Sequence, residues 1–198
     1  IPRDIRVRTS SIIQDLELLI SGIRQNDGRL RARKVLAGDQ QPPVSEVLKF
    51  LRDRDDDLKI IAFGIIKKFR LNELLSDICA CLENPRVRVH AVKTLKSFRE
   101  SANQELRRFY MLFSGNQIVA SSILRIFGYN CSSENIDFLF SLLWSGTRTT
   151  REAALSSISS CNYRMTPRDR EKLNWLITDV IGVITWNISA GVTISRMD

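Results

Sequence analysis

The residues that could do chemistry in this chain are few. The densest cluster is acidic: Asp53, Asp55, Asp56 and Asp57. Carboxylates this close attract a cation, but the run lacks the glycine and the terminal glutamate of a calcium loop. It stands ahead of an apolar-periodic stretch. That points to a helix N-terminus, where carboxylates accept backbone N–H bonds and offset the helix dipole. His90, the one histidine, has no cysteine or carboxylate at ligand spacing and reads as structural. Cys79 and Cys81 are two residues apart on an expected helix, so they face different sides. No C-x-x-C occurs, and Cys79, Cys81, Cys131 and Cys161 read as small buried apolar residues in a reducing compartment. The sequence has no glycine-rich phosphate loop and no nucleophile elbow. The expectation is therefore no catalytic residue, no cofactor and no metal.

The basic residues say more. The 198 residues carry 30 Lys and Arg against 22 Asp and Glu, a net charge of +8. Such a balance suits an anionic partner: nucleic acid, an acidic protein surface or a membrane face. Arg29, Arg33 and Lys34 are spaced to share one side of a helix. Lys67, Lys96 and Arg125 recur 29 residues apart, each just after an apolar residue (Ile66, Leu95, Leu124). A ridge of this kind would let an array of helices follow a phosphate backbone or an acidic peptide. Lys67, Lys96, Arg125, Arg29 and Arg33 are accordingly the candidate binding residues; the competing reading is an ordinary solvated face.

The elements that would position these side chains are helices. Leu, Ile, Ala, Arg and Lys dominate, and Gly and Pro are sparse. In the segment from Asn84 to Phe98, Asn84 and Pro85 open a helix. Val87, Ala91, Leu95 and Phe98 then fall on one face. The face recurs 29 residues earlier, as Leu58, Ala62, Ile66 and Phe69. Later copies are Ile118, Ser122, Ile126 and Tyr129, then Thr150, Ala154, Ile158 and Cys161. A leading helix precedes each copy: Val44–Leu51, Glu73–Leu82, Gln104–Phe113 and Glu134–Trp144. One such pair cannot bury its own apolar stripe, so neighbours must stack.

Asn84-Pro85-x-Val87-Arg88-x-x-Ala91-x-x-x-Leu95 resembles the second helix of a HEAT repeat. Asp57-Leu58-Lys59-x-x-Ala62-x-x-x-Ile66 and Arg151-x-x-Ala154-x-x-x-Ile158 are similar. The third copy departs, with Val119 for the basic residue and Ser122 for the small apolar one. The resemblance implies an all-α superhelix, or solenoid, of helix pairs over residues 44–161. It also implies that the small residue admits a neighbouring helix and that the basic residue serves contacts between turns. Some HEAT-like proteins are DNA glycosylases, which set a carboxylate beside aromatic residues. Here Asp179 follows Trp175 by one helical turn, although the tryptophans read more simply as sealing the C-terminal end.

The ends differ from the middle. A helix over Ser10–Gln25, ended by Asn26 to Gly28, and a second over Arg29–Leu36 would make a divergent first pair within residues 1–38. Gly38 to Pro43 reads as a linker. Thr166 and Pro167 open a long closing helix over residues 166–190. Its apolar part is broken by Thr178, Asp179, Thr185, Asn187 and Ser189, so it reads as a core helix rather than a membrane span. The arginines of Ile1–Arg8 would suit the cytoplasmic flank of a membrane anchor preceding Ile1. The whole chain thus reads as one cytoplasmic, non-enzymatic scaffold that binds a protein partner, with attachment to a membrane through a segment before Ile1 as a further reading. The alternative is a nucleic-acid-binding, glycosylase-like HEAT protein.

Overall fold

The structure, a computed structural model, describes residue 22 and residues 26–161 and 163–194, with side chains up to Asp179. The expected helix over Ser10–Gln25, the arginines at Arg3, Arg6, Arg8 and Arg24, and Trp186 lie outside the described residues or side chains. Every regular element among the described residues is helical. Helix α1 covers residues 26–37, so Asn26 to Gly28 lie within a helix where the sequence suggested a break. Then follow α2 (Val44–Arg52), α3 (Asp56–Phe69), α4 (Leu75–Ala80), α5 (Arg88–Phe98) and α6 (Asn103–Leu112). After them come α7 (Gln117–Asn130), α8 (Ser133–Ser145), α9 (Arg148–Ser159) and α10 (Pro167–Ile194). No helix among the described residues is long and apolar enough to cross a membrane. The chain divides into two compact units, Ile1–Ile126 and Phe127–Asp198.

Local chemistry explains the helix starts. Asp55 caps α3, its carboxylate accepting the Asp57 N–H at 3.0 Å. Asp56 and Asp57 occupy the first turn and Lys67 and Lys68 the last, both favourable to the dipole. Asn84 Oδ1 accepts the Arg86 N–H at 3.0 Å, and the Asn84 carbonyl accepts the Arg88 N–H at 2.9 Å. At α10, Thr166 Oγ1 accepts the Asp169 N–H at 3.2 Å while the Asp169 carboxylate accepts the Thr166 N–H at 3.0 Å. That exchange is a capping box, with aspartate in the place of the usual glutamate.

In the first unit α2 packs on α3, α3 on α5, and α4 on α5 and α6. The faces read from the sequence point inward: Leu58, Ala62 and Ile66 of α3, and Ala91, Leu95 and Phe98 of α5 with Val87 before it, are buried. In α7 the register is one residue later than the sequence reading. Ile118 is 58% exposed and Val119 is 0% exposed; Ile123, Leu124 and Ile126 are buried with Val119. Two faces of α7 satisfy helical spacing, and the richer apolar one wins the interior. The backbone agrees. Arg70, Arg99 and Cys131 have positive φ (54°, 50° and 46°), just beyond α3, α5 and α7. They lie 29 and 32 residues apart, matching the step from Leu58 to Val87 to Val119. An L-residue at positive φ costs roughly 1–2 kcal/mol. Arg70 sits in the left-handed helical well (ψ 46°), whereas Arg99 does not (ψ −124°), so the two ends share the sign of φ and not one turn geometry.

In the second unit α8 packs on α9; Ile136, Leu139, Phe140 and Leu143 of α8 and Ala154 and Ile158 of α9 are buried. Gly128 sits where a Cβ would lie 2.5 Å from the Ser157 carbonyl oxygen. This close approach brings the ends of α7 and α9 together, and Cys131 and Cys161 form a disulfide with Cα atoms 6.0 Å apart. The expectation of four reduced thiols is corrected here for two of them; Cys79 and Cys81 are free. Periodicity could not reveal the pair, because the partners are 30 residues apart and meet only through the Gly128 contact.

Gly128→Ala drives a methyl group into backbone that cannot retreat. It is expected to lower unfolding free energy by about 1–3 kcal/mol. Urea unfolding beside the wild type measures this, and an unchanged midpoint would refute the close approach.

Candidate functional site

The predicted basic residues divide into those used inside the fold and those left outside. Arg29 belongs to the first group. Its guanidinium grips the buried Asp55 carboxylate through Nε and Nη2, the latter at 2.8 Å, and its Nη1 lies 3.0 Å from Asp57. This fork joins α1 to the start of α3 and holds the Asp55 carboxyl below its ordinary pKa. Lys96 is half-buried and engaged within the protein. Arg33, Lys67 and Arg125 are exposed, without an ion pair among the described residues. The burial register places Arg125 at the position of Lys93, 32 residues before it, while the position of Lys96 falls on Gly128.

Several cations cap carbonyls instead. Lys68 Nζ donates to the Leu36 and Gly38 carbonyls at 3.1 and 2.7 Å, closing the end of α1. Arg70 reaches across to the Ser97 carbonyl and lies over the Phe98 ring, 5.5 Å from its centroid. Arg88 Nε donates to the Leu82 carbonyl at 2.6 Å, and Arg151 Nε to the Gly146 carbonyl at 2.9 Å. Arg88 and Arg151 each return to the turn ahead of their own helix. Helix C-termini carry unsatisfied carbonyls and a negative dipole end, so a cation there is stabilising.

The acidic run is likewise consumed by the fold. Asp55 caps and pairs with Arg29. Asp56 accepts from Asn84 Nδ2 at 2.9 Å and lies 3.6 Å from Lys59 and 3.7 Å from Arg86. Each carboxylate already faces a cation or a donor, the reverse of an open cation site; no metal-binding cluster occurs among the described residues. His90 is half-buried, and its carbonyl accepts the Thr94 hydroxyl at 2.9 Å. Burial pushes the Cys79 thiol up to about 12, which keeps it protonated and poorly nucleophilic.

Three surface features remain. A recess of about 480 Å³ lies over the linker, lined by Lys34, Gln40, Gln41 and Glu46 among others. On the second unit, Trp144 and Trp175 pack with ring centroids 4.7 Å apart, yet remain 39% and 59% exposed. Asp179 is exposed one turn beyond Trp175. The third feature is a set of exposed apolar residues at the end of α6 and the start of α7, which the spacing of Ile118 on the expected buried face conceals. Met111 and Leu112 are 67% and 66% exposed, and Ile118 across the turn is 58% exposed. The signal was present in α6, where Arg108, Met111 and Leu112 fall opposite the buried Leu106, Phe109 and Tyr110.

Comparison of the chain with family models, with curated proteins and with solved structures finds no match.

Asp55→Ala removes a cap and a buried partner for Arg29, and is expected to cost at least about 1 kcal/mol at neutral pH. The sign follows from its lowered pKa. The contribution is complete above the unfolded value of about 4 and disappears as pH falls through the lower folded value. Urea unfolding of both proteins at about pH 7 and about pH 2.5 should show the difference shrinking in acid. A difference constant with pH would contradict the ion pair.

Proposed function

We propose that this chain is a HEAT-like helical-repeat scaffold, a solenoid of helix pairs that is not an enzyme and that holds a protein partner on exposed helix surface. Three features support the repeat reading. The small residues Ala62, Ala91 and Ala154 are all fully buried. Arg88 and Arg151 make the same backward bond to the preceding turn. Positive-φ residues end α3, α5 and α7 at matching positions.

The observation that carries the partner reading is the Trp144–Trp175 pair. Two large aromatic rings pack against each other, tilted by 45°, and still face solvent. Tryptophan is among the side chains that most often anchor protein interfaces, because a rigid ring buries much area with little loss of freedom. Exposed Arg33, Lys67 and Arg125 favour a second reading, nucleic acid held through its phosphates.

One experiment separates the two. The protein is immobilised, exposed to extract from its source cells, and eluted at low and moderate salt, beside Trp175→Ala. The scaffold reading expects a protein partner that survives moderate salt and is lost, by about tenfold or more, with Trp175→Ala. Nucleic acid that is retained at low salt, released steeply by moderate salt and indifferent to Trp175 would overturn it.

A further inference from the structure

We propose that the turn between α6 and α7 is a membrane-docking tip, which seats Met111, Leu112 and Ile118 in the interfacial layer of an anionic bilayer. The tip is a four-residue link, Phe113 to Asn116, closed by the Asn116 N–H donating to the Phe113 carbonyl at 2.9 Å. Phe113 stacks on Phe109 with centroids 5.4 Å apart, and Phe109 is buried, so the turn is fixed to the first unit's interior. Its outer side is open: a Cβ on Gly115 would meet nothing within 4 Å. Met111, Leu112 and Ile118 flank this turn as large apolar side chains, each more than half exposed. Apolar groups gathered in this way mark a contact surface rather than the scattered exposure every protein shows.

Charge identifies the occupant. Residues 109–124 carry no charged side chain, and no acidic residue occurs from 106 to 133. Arg107 and Arg108 precede the uncharged stretch and Arg125 follows it. Arg108 shares the outer face of α6 with Met111 and Leu112, and Arg125 shares the outer face of α7 with Ile118. Along the helix axes, Arg108 stands about 6 Å behind Leu112, and Arg125 about 10 Å behind Ile118, at 1.5 Å per residue. An interfacial segment buries its apolar part about 5–10 Å below the phosphates. With the tip at that depth, both guanidinium groups lie at the level of lipid phosphates, where cations are held by anionic headgroups. The residues at the end of the turn, Ser114, Gly115 and Asn116, are small and uncharged, so none carries a charge into the acyl boundary. An exposed turn flanked by apolar side chains suits a deformable lipid layer better than a partner helix, which needs a groove to receive it. The tip uses none of the residues of the Trp144–Trp175 pair, so failure of either proposal leaves the other standing.

Co-sedimentation with vesicles tests this. The wild type is mixed with phosphatidylcholine vesicles, with or without about 30% phosphatidylserine. Beside it run Met111→Ser/Leu112→Ser/Ile118→Ser and Arg108→Gln/Arg125→Gln, each checked by thermal melting, and Leu112→Glu alone as a milder change should the triple variant melt early. The wild type should sediment with the anionic vesicles and not with neutral ones. The triple variant and Leu112→Glu should lose about tenfold or more in binding. The arginine variant should fall less, and salt at about 0.5 M should weaken the wild type. A wild type that stays in solution, or folded apolar variants that sediment as the wild type does, would overturn the proposal. So would an acidic amphipathic peptide that binds the tip while vesicles do not, since the surface would then belong to a protein partner.

Discussion

The constraint on which the rest depends is that no helix pair here can hide its own apolar stripe. The second helices α3 and α5 bury Leu58 and Ile66, and Ala91 and Leu95, by lying against each other. Alanine at positions 62 and 91 is what lets other helices come close, since a larger side chain would hold them apart. Burial of this kind fixes register strongly, because sliding a helix by one residue turns a core position towards solvent. Polar contacts then lock the register: Arg29 on Asp55 ties α1 to α3, and Asn84 on Asp56 ties the start of α5 to the start of α3. Both links lie where the helices begin, and each is reinforced, by Asp57 on Arg29 and by Arg86 on Asp56.

The same arrangement decides what happens to charge. A stack of short helices leaves many C-terminal carbonyls without partners, and this chain answers with basic side chains. Lys68, Arg70, Arg88 and Arg151 all bond such carbonyls. Lys68, Arg70 and Arg151 stay exposed while they do so, so their charge serves the helix ends and still reaches solvent. Arg33, Lys67 and Arg125 are exposed without such a bond or an ion pair among the described residues.

A good part of this was legible from residue order. The caps at Asp55 and Thr166 follow from residue type beside an apolar run, and the buried faces of α3, α5 and α9 follow from spacing. The register of α7 was not legible, because Ile118-Ser122-Ile126 and Val119-Ile123-Ile126 both fit a helix and only packing chooses between them. That one-residue ambiguity hid the exposed apolar tip and misplaced Arg125 relative to Lys96. The bond between Cys131 and Cys161 depends on Gly128 meeting Ser157, a long-range contact with no local signature. Arg29 was read as a binding cation because its distant partner, Asp55, was read only as a cap; both roles belong to one carboxylate.

The most direct test of the stacking account is a matched set of substitutions at the shared small position: Ala62→Leu, Ala91→Leu and Ala154→Leu, with Ser122→Leu as the comparison on the half-exposed side of α7. Unfolding free energies should fall by about 1–3 kcal/mol for each alanine variant and stay near the wild type for Ser122→Leu. Alanine variants as stable as the wild type would mean that these positions do not govern helix approach, and the account of the fold as register-locked stacking would be wrong.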